Sequence, residues 1–344
     1  MSLLPFLHRV MNKESLSVGD ARLAMAVILA GEASTAQIAA FATALRMKGE
    51  TADELQGMAL AMRESGVRVE HGVTGEPVLD TCGTGGDNQG TLNVSTVVAF
   101  VVAGAGVKVA KHGNRSMSSL CGSADLLEAF GAKLLMRPED MGRAIREIGF
   151  GFLFAPALHP AMRHAQPARA ELKTRTAFNL LGPLTNPAGA TCQLVGAPSL
   201  IAAELMAVTL SALGLHRGFV VHGADGLDEF STTGQGDVFA IAGGAIDHQL
   251  LGPADFGLRQ ATIQELRGGD VETNKAIALA VLSGVKGAHR DIVLANAALG
   301  LMAAGKARDP VEGVRIAAES IDTGSAIRIL NAFVEFSRTV DQTV

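Results

Sequence analysis

The stretch DTCGTGGDNQGTLNVST, residues 80–96, holds four glycines among short polar side chains, and Leu92 is its only large side chain. Glycine loses more backbone entropy on folding than other residues, so it is favoured where the chain needs unusual dihedral angles or lies close against another group. An apolar run precedes the stretch and another follows it. The pattern therefore predicts a strand, a glycine loop on which a ligand rests, and a helix.

The glycine loop matches neither common phosphate-binding motif. It lacks the GK[ST] of a P-loop, and Asn88 stands where a G-x-G-x-x-G motif needs its last glycine. Its backbone N–H groups and the N-terminus of the following helix still favour an anion. A helix capped by Ser95 or Thr96 after a tight turn would account for those two residues. It would leave the glycines and Asp87 unexplained, so we favour phosphate binding.

Strand-like and helix-like segments alternate along the rest of the chain. The runs PVLDTCG, GVKVAKHG, QLVGAPS and RGFVVHG are short and apolar, and helical patterns at 94–105, 124–130 and 201–213 lie between them. This alternation predicts an α/β fold with a mainly parallel central sheet flanked by helices. Ligands of such sheets bind outside the carboxyl ends of the strands, where the loops after Asp80, Ala110 and Val221 are expected.

The first part of the chain predicts a different unit. Apolar residues recur at helical spacing, Ser34/Gln37 and Thr51/Glu54 match the capping box, and Gly49 fits a helix end. We expect a small α-helical domain over residues 1–67. A large α/β domain would comprise 76–165 and 190–344, joined to the first by a crossing segment near 168–188 that is rich in proline and glycine. The helical faces are rich in Ala and Leu and have too few large side chains to close a core alone, which favours packing on a partner subunit.

Composition excludes several classes of protein. The net charge of −5 and the absence of a Lys/Arg run argue against a general nucleic-acid binder or a membrane-surface binder. Cys82, Cys121 and Cys192 are widely spaced, which favours neither disulfides nor a zinc site. Residues 1–15 show no signal-peptide pattern, and the longest apolar run, 96–107, is too short to span a bilayer. We expect a cytoplasmic protein.

Three further segments offer polar groups for the phosphate-binding site expected at the glycine loop. In KHGNRSMSSLCGSAD, residues 111–125, Lys111 suits a phosphate; the alternative interpretation is a solvated basic turn followed by a helix capped at Ser123. Asp228 and Glu229 are adjacent after an apolar strand; a buried pair would need a cation, and its oxygen ligands suit Mg²⁺. An exposed acidic loop is the commoner interpretation of such a pair. The fourth segment, 154–176, supplies basic side chains, of which one arginine is a candidate for a carboxylate: His159, Arg163, His164, Arg169 and Arg175.

Taken together, these segments resemble one known family. GTGGD-x-x-GT-x-NVST, KHGNR-x-x-SS-x-x-GSAD, HPA-x-R, RT-x-FNLLGPL-x-NP and HGADGLDE occur in the order and spacing of anthranilate phosphoribosyltransferases, over essentially the whole chain. Leu120 and Cys121 depart from the usual residues after the paired serines, and Asn88 is a variant position. The resemblance implies transfer of the phosphoribosyl group of 5-phosphoribosyl diphosphate to the amino group of anthranilate, in tryptophan biosynthesis. It also implies a Mg²⁺-dependent homodimer that associates through the helical domain, with the active site at the hinge between domains.

The same resemblance implies roles for individual residues. Ser95, Asp228 and Glu229 would bind the metal. The residues expected to bind 5-phosphoribosyl diphosphate are Gly83, Gly86, Asp87, Thr91, Asn93, Ser95, Thr96, Lys111, Ser119 and Ser123. Those expected to bind anthranilate are Gly83, His112, Asn114, His159, Arg169 and Gly182, with Arg169 as the partner of its carboxylate. No residue is assigned as a general base.

Two other functions remain to be distinguished. A pyrimidine nucleoside phosphorylase shares the architecture, but the KHGNR loop and the acidic pair argue against it. A non-catalytic relative that binds nucleic acid would need a basic surface and would tolerate loss of the glycine loop. The net charge and the intact loop disfavour that function.

Overall fold

The computed structural model describes residues 1–85, 90–116 and 120–341. Within these residues, the strands are β1 Val78–Gly83, β2 Lys108–Gly113, β3 Phe150–Phe154, β4 Cys192–Gly196, β5 Arg217–His222, β6 Gly236–Ala242 and β7 Ala245–Leu251. The helices are α1 Leu4–Met11, α2 Val18–Leu29, α3 Thr35–Lys48, α4 Ala52–Ser65, α5 Val94–Gly104, α6 Ser123–Ala129, α7 Pro138–Glu147, α8 Ala155–Leu158, α9 Gln166–Leu172, α10 Ala177–Leu180, α11 Leu200–Ala212, α12 Val271–Leu282, α13 Ala288–Ala303, α14 Pro310–Asp322 and α15 Ser325–Thr339.

The first four helices form a bundle whose starts are set by local capping. Before α3, the Ser34 hydroxyl accepts the Gln37 N–H and the Gln37 side chain accepts the Ser34 N–H, at 3.3 and 3.0 Å. Thr51 and Glu54 make the same reciprocal pair before α4. Each pair satisfies two backbone donors that a helix start otherwise leaves unpaired, so both predicted capping boxes are confirmed.

The bundle completes its core against the rest of the same chain. Its apolar side chains share one buried cluster with residues of α11 such as Met206 and Leu210, and with Phe239 of β6. Helices α9 and α10 contact α3, so residues 166–180 also lie against the bundle. These contacts place the helical bundle beside the carboxyl ends of the parallel strands.

The central sheet has the strand order β3-β2-β1-β4-β5-β6-β7. The five strands from β3 to β5 are parallel, whereas β6 and β7 add an antiparallel hairpin at one edge. The predicted fold, a helical unit plus a mainly parallel sheet flanked by helices, is confirmed. Strands β3, β6 and β7 were not identified in the sequence. Strand β7 is exposed along nearly its whole length, so no buried apolar run marks it.

Helix α5 lies at the centre of the layer that covers the first strands. Nine of its residues are buried, and α13 and α15 pack on it. A helix that is apolar on all sides is buried on all sides. Its N-terminus is thereby held next to the end of β1, which brings a helix N-terminus to the glycine loop.

Candidate active site

The carboxyl ends of β1, β2, β4 and β5 meet at one edge of the sheet, where the predicted loops converge. Gly83 and Gly196 are partners in the β1–β4 register, and Asp228 lies against both. A Cβ on Gly83 would stand 2.6 Å from Asp228 Oδ2, and one on Gly196 would stand 1.5 Å from the Asp228 carbonyl oxygen. Both positions therefore need glycine, because any side chain would displace the acidic loop.

Lys111 of β2 is a buried cation at the centre of this edge, with 2% of its surface exposed. Its Nζ donates to the Thr81 carbonyl oxygen at 2.5 Å and to Ser95 Oγ at 3.2 Å. Burial lowers the pKa of Lys111, while the negative charges of Asp80 and Glu229 oppose that shift. Lys111 thus ties the end of β1 to the first turn of α5, and supplies the positive charge that a phosphate requires.

The acidic pair reaches the same place from the loop after β5. Asp228 Oδ2 accepts the Gly85 N–H at 2.6 Å, and Glu229 Oε1 accepts the Ser95 N–H at 3.1 Å. Both acidic residues are only 8% exposed, so the interpretation as an exposed loop is wrong. Asn296 of α13 holds the next residue, because its side chain accepts the Phe230 N–H at 3.0 Å and donates to the Phe230 carbonyl at 2.8 Å.

The donor set at this edge fits a hard cation. Asp228, Glu229 and the Ser95 hydroxyl offer oxygen ligands, which Mg²⁺ prefers. Among residues 1–85, 90–116 and 120–341, no three side chains of His, Cys, Asp or Glu cluster to hold a metal.

The start of α5 differs from the alternative interpretation of a helix capped by Ser95 or Thr96. The helix begins at Val94, as its pattern predicts, with Asn93 as its cap residue. Asn93 does not cap with its side chain; its Nδ2 donates to the Cys121 carbonyl at 2.8 Å, and its Oδ1 accepts from Asn274 Nδ2 at 3.2 Å. The Ser95 hydroxyl instead accepts from Lys111.

The start of α6 also differs. Gly122 is the cap residue and Ser123 is the first helical residue, so Ser123 does not cap this helix. The Asp125 carboxylate accepts the N–H groups of Gly122 and Ser116, at 2.9 and 3.1 Å. Ser123 Oγ donates to the Asn114 carbonyl at 3.1 Å, which fixes the loop after β2.

Two buried histidines lie side by side on the flank of the site that faces the bundle. The rings of His112 and His159 are 5.2 Å apart, and Nε2 of each is buried without a hydrogen-bond partner. His112 Nδ1 lies 3.1 Å from the Gly182 carbonyl oxygen. Burial lowers the pKa of His112 to about 3 and that of His159 to about 4. Both imidazoles are therefore neutral at neutral pH, and two ring nitrogens remain available to a ligand.

The chain is similar to known proteins along nearly its whole length. Residues 4–66 match the glycosyl transferase family helical bundle domain, and residues 75–327 match the glycosyl transferase family a/b domain. The anthranilate phosphoribosyltransferase of Solibacter usitatus is 58% identical over 337 residues, which cover 98% of this chain and 99% of that protein. The chain belongs to the anthranilate phosphoribosyltransferase family.

Solved structures agree with this assignment. The anthranilate phosphoribosyltransferase of Thermus thermophilus superposes with a TM-score of 0.91 at 45% identity, over 97% of this chain and 99% of that one. The Saccharomyces cerevisiae enzyme in complex with PRPP and Mg superposes with a TM-score of 0.90 at 28% identity, over 98% of each chain. The predicted family, fold and enzyme class are confirmed, and the activity is that of a phosphoribosyltransferase of tryptophan biosynthesis.

The structure describes three more of the residues predicted from the family: Thr91, Thr96 and Arg169. Thr91 forms an isolated antiparallel bridge with Arg267, and the hydroxyl of Thr96 is buried without a hydrogen-bond partner. Arg169 is on α9, where burial lowers its pKa. Three predicted residues, Gly86, Asp87 and Ser119, lie outside the described residues.

Several residues that shape the site were missed in the sequence. Asn186 Nδ2 donates to Asp80 Oδ2 and to the Ala110 carbonyl, each at 2.8 Å, and so ties β1 to β2. The Arg175 guanidinium, which the sequence marks only as one of several basic groups, donates to the Gly85 carbonyl oxygen. Each contact joins segments far apart in the chain, and no local pattern marks it.

Proposed function

We propose that the edge formed by β1, β2, β4 and β5 transfers the phosphoribosyl group of 5-phosphoribosyl diphosphate to the amino nitrogen of anthranilate. The products are N-(5-phosphoribosyl)anthranilate and pyrophosphate. The bond between ribose C1 and the diphosphate oxygen breaks, a bond from C1 to nitrogen forms, and the nitrogen loses one proton. The observation that carries this proposal is the meeting at one helix N-terminus of three residues from separate segments: Lys111 of β2, Ser95 of the first turn of α5, and Glu229 of the loop after β5.

The diphosphate side is built for a group that becomes more negative as it leaves. Breaking the C1–oxygen bond gives oxocarbenium character to the ribose and negative charge to the leaving group. Lys111 and the N-terminus of α5 stabilise that charge without rearrangement, because both are fixed by buried contacts. Asp228, Glu229 and Ser95 would hold Mg²⁺, which would neutralise part of the diphosphate charge.

Of the side chains proposed to contact anthranilate, only Arg169 carries a charge at neutral pH. Arg169 would pair with the carboxylate of anthranilate, since a guanidinium binds a carboxylate through two parallel hydrogen bonds. The neutral rings of His112 and His159 would lie beside the aromatic amine. That amine is a weak nucleophile but loses its proton readily once it is bonded to C1, so we assign no general base. Positioning and charge stabilisation supply the rate enhancement.

The fluorescence of anthranilate provides the test. The chain contains no Trp and no Tyr, so the protein background is small. Enzyme, anthranilate, phosphoribosyl diphosphate and Mg²⁺ are mixed, and the anthranilate signal is followed with and without EDTA. We expect a decay that requires both substrates and stops with EDTA. A flat trace from protein shown to be folded would contradict the proposal and would favour nucleoside phosphorolysis as the activity.

We further infer that the chain is a homodimer that associates through the helical domain, residues 1–67. Helices of this part expose large apolar side chains that the rest of the chain does not cover, namely Leu4, Met11, Leu23 and Met47. Met47 is 82% exposed at the end of α3. A Met47→Glu variant is expected to shift the mass measured by light scattering towards that of one chain, whereas Leu250→Glu on β7 leaves it unchanged.

We propose that residues 168–188 join the two domains. Residues 76–165 and 190–344 form the large domain. Within the described ranges, no helix is both long enough and apolar enough to cross a membrane. A cytoplasmic location stays a prediction.

A further inference from the structure

A cavity lies beside Thr84, the residue that follows β1. Its volume is about 270 Å³, close to the lower end of small-molecule sites, which is about 300 Å³. Arg46 and Glu50 line it from α3 and the residues after that helix, and Thr84, Arg175 and Ser199 line it from the α/β part. We call this space the cleft cavity; it lies between the two parts of the chain.

Two oxygen atoms of the lining residues lack hydrogen bonds. Glu50 Oε1 and Thr84 Oγ1 are both buried without a partner. A buried polar atom without a partner destabilises a protein. The Thr84 hydroxyl can therefore donate a hydrogen bond to a molecule in the cavity, and the Glu50 carboxylate can accept one from it.

The charges of the lining specify the ligand further. Arg46 and Arg175 have no carboxylate partner among residues 1–85, 90–116 and 120–341, and Arg175 donates to the uncharged carbonyl of Gly85. Two arginines against the single acid Glu50 leave the cavity with a net positive charge. Guanidinium groups bind phosphate oxygens through paired hydrogen bonds, so the lining favours a phosphate-type anion.

The position of the cavity connects it to the reaction centre. The N–H of Gly85 donates to Asp228 Oδ2, while the carbonyl of the same residue accepts from Arg175. A single residue thus separates the acidic pair from an arginine of the cleft cavity. This connection places the positive charge of Arg175 next to the residue that Asp228 holds.

We propose that the cleft cavity is a second diphosphate site, which holds the pyrophosphate product after it leaves the reaction centre. This inference rests on the proposed function, because that reaction supplies the diphosphate. Arg46, Arg175 and the Thr84 hydroxyl contact phosphate oxygens. Glu50 repels a fully ionised diphosphate, so the bound form carries a donor: either a proton on the diphosphate or a water on its Mg²⁺.

Calorimetric titration of inorganic pyrophosphate into the full chain tests the site without turnover. We expect two classes of pyrophosphate site per chain in the wild type. Arg46→Gln should weaken one class about tenfold, the effect of losing a charge-assisted hydrogen bond. Arg315→Gln on α14 makes the same charge change far from the cavity and should leave both classes intact. Titration with Mg²⁺ and with EDTA distinguishes the two ligand forms: binding that needs the metal identifies magnesium diphosphate, and equal binding identifies the protonated anion.

Kinetics separate this site from the substrate site. Pyrophosphate held in the cleft cavity would hinder product release at any concentration of phosphoribosyl diphosphate. In Arg46→Gln the inhibition constant of this part, which substrate does not compete away, should rise about tenfold, while the KM for phosphoribosyl diphosphate changes less than about twofold. A single class of site in the wild type, or equal rises in both constants, would overturn the inference. Absence of turnover in the wild type, with two classes of pyrophosphate site retained, would instead count against the proposed function alone.

Discussion

Replacing Gly196 with alanine tests whether the close approach of the acidic loop is essential. The new Cβ would stand 1.5 Å from the Asp228 carbonyl oxygen and 2.3 Å from its carbon. Nonbonded heavy atoms pack at about 3.5 Å, so the Asp228 backbone would have to retreat by about 2 Å. A misplacement of about 1 Å at a reacting group reduces rates about 100-fold. We therefore expect Gly196→Ala to lower kcat at least about 100-fold and to raise the Mg²⁺ concentration needed for half-maximal rate.

The strain should also appear in stability. Overpacking a well-packed region costs about 1–3 kcal/mol, which denaturant titration measures as a fall in the free energy of unfolding. Gly234→Ala is the matched control, because a Cβ there would have one neighbour, the Ala224 side chain, at an ordinary 3.6 Å. Anthranilate fluorescence gives the rates of both variants. Gly196→Ala with wild-type kcat and wild-type Mg²⁺ dependence would refute the reasoning.

Four further predictions concern single contacts of the site. Arg169→Ala should raise the KM for anthranilate more than about tenfold and affect that for phosphoribosyl diphosphate much less, since a carboxylate would lose a charge-assisted pair. Glu229→Gln should lower kcat and raise the half-saturating Mg²⁺ concentration, because one anionic oxygen ligand is lost. His159, whose pKa falls to about 4 on folding, binds a proton at about pH 5 only in the unfolded chain. Stability should therefore decrease from about pH 6.5 towards about pH 4; the share of His159 is about 1.4 kcal/mol per pH unit, and His159→Gln keeps only the share of His112, whose pKa is also lowered. Asn296→Ala should lower the free energy of unfolding by about 2–4 kcal/mol, because the Phe230 N–H and carbonyl lose their buried partners.

Each of these four predictions can be contradicted by a specific result. An unchanged anthranilate KM would remove Arg169 from the carboxylate site, and full activity of the Glu229 variant at limiting Mg²⁺ would reject that residue as a ligand. Denaturant titrations at about pH 5 and about pH 7 that show the same decrease for wild type and His159→Gln would mean that this imidazole is not held neutral. A normal stability of Asn296→Ala would show that water replaces its side chain at the loop.

Much of the fold could be predicted because its signals are local. The capping boxes at Ser34 and Thr51 depend on residues three positions apart, and they form as expected. The strands at 78–83 and 108–113 are short buried runs followed by glycine loops, so their type and their carboxyl ends could be read directly. Strand β7 could not be identified, because β6 is its partner in the sheet and its side chains are largely exposed, so no buried apolar run marks it. The helix caps at Asn93 and Gly122 were missed for a related reason: the hydroxyls of Ser95 and Ser123 have partners elsewhere in the fold.

The sequence by itself determined the family, the order of the loops and the types of group that the site offers, because these are properties of short contiguous motifs. Only the tertiary structure decided which groups meet. Asp228 reaches Gly85 across 143 positions, and Asn274 reaches Asn93 across 181. Such contacts follow from the register of β1 on β4 and from the helices packed on the sheet, which bring distant segments within hydrogen-bond distance. The cleft cavity has the same origin: α3 and the start of α11 form its walls because the bundle lies against the α/β part, and no segment of the chain contains that arrangement alone.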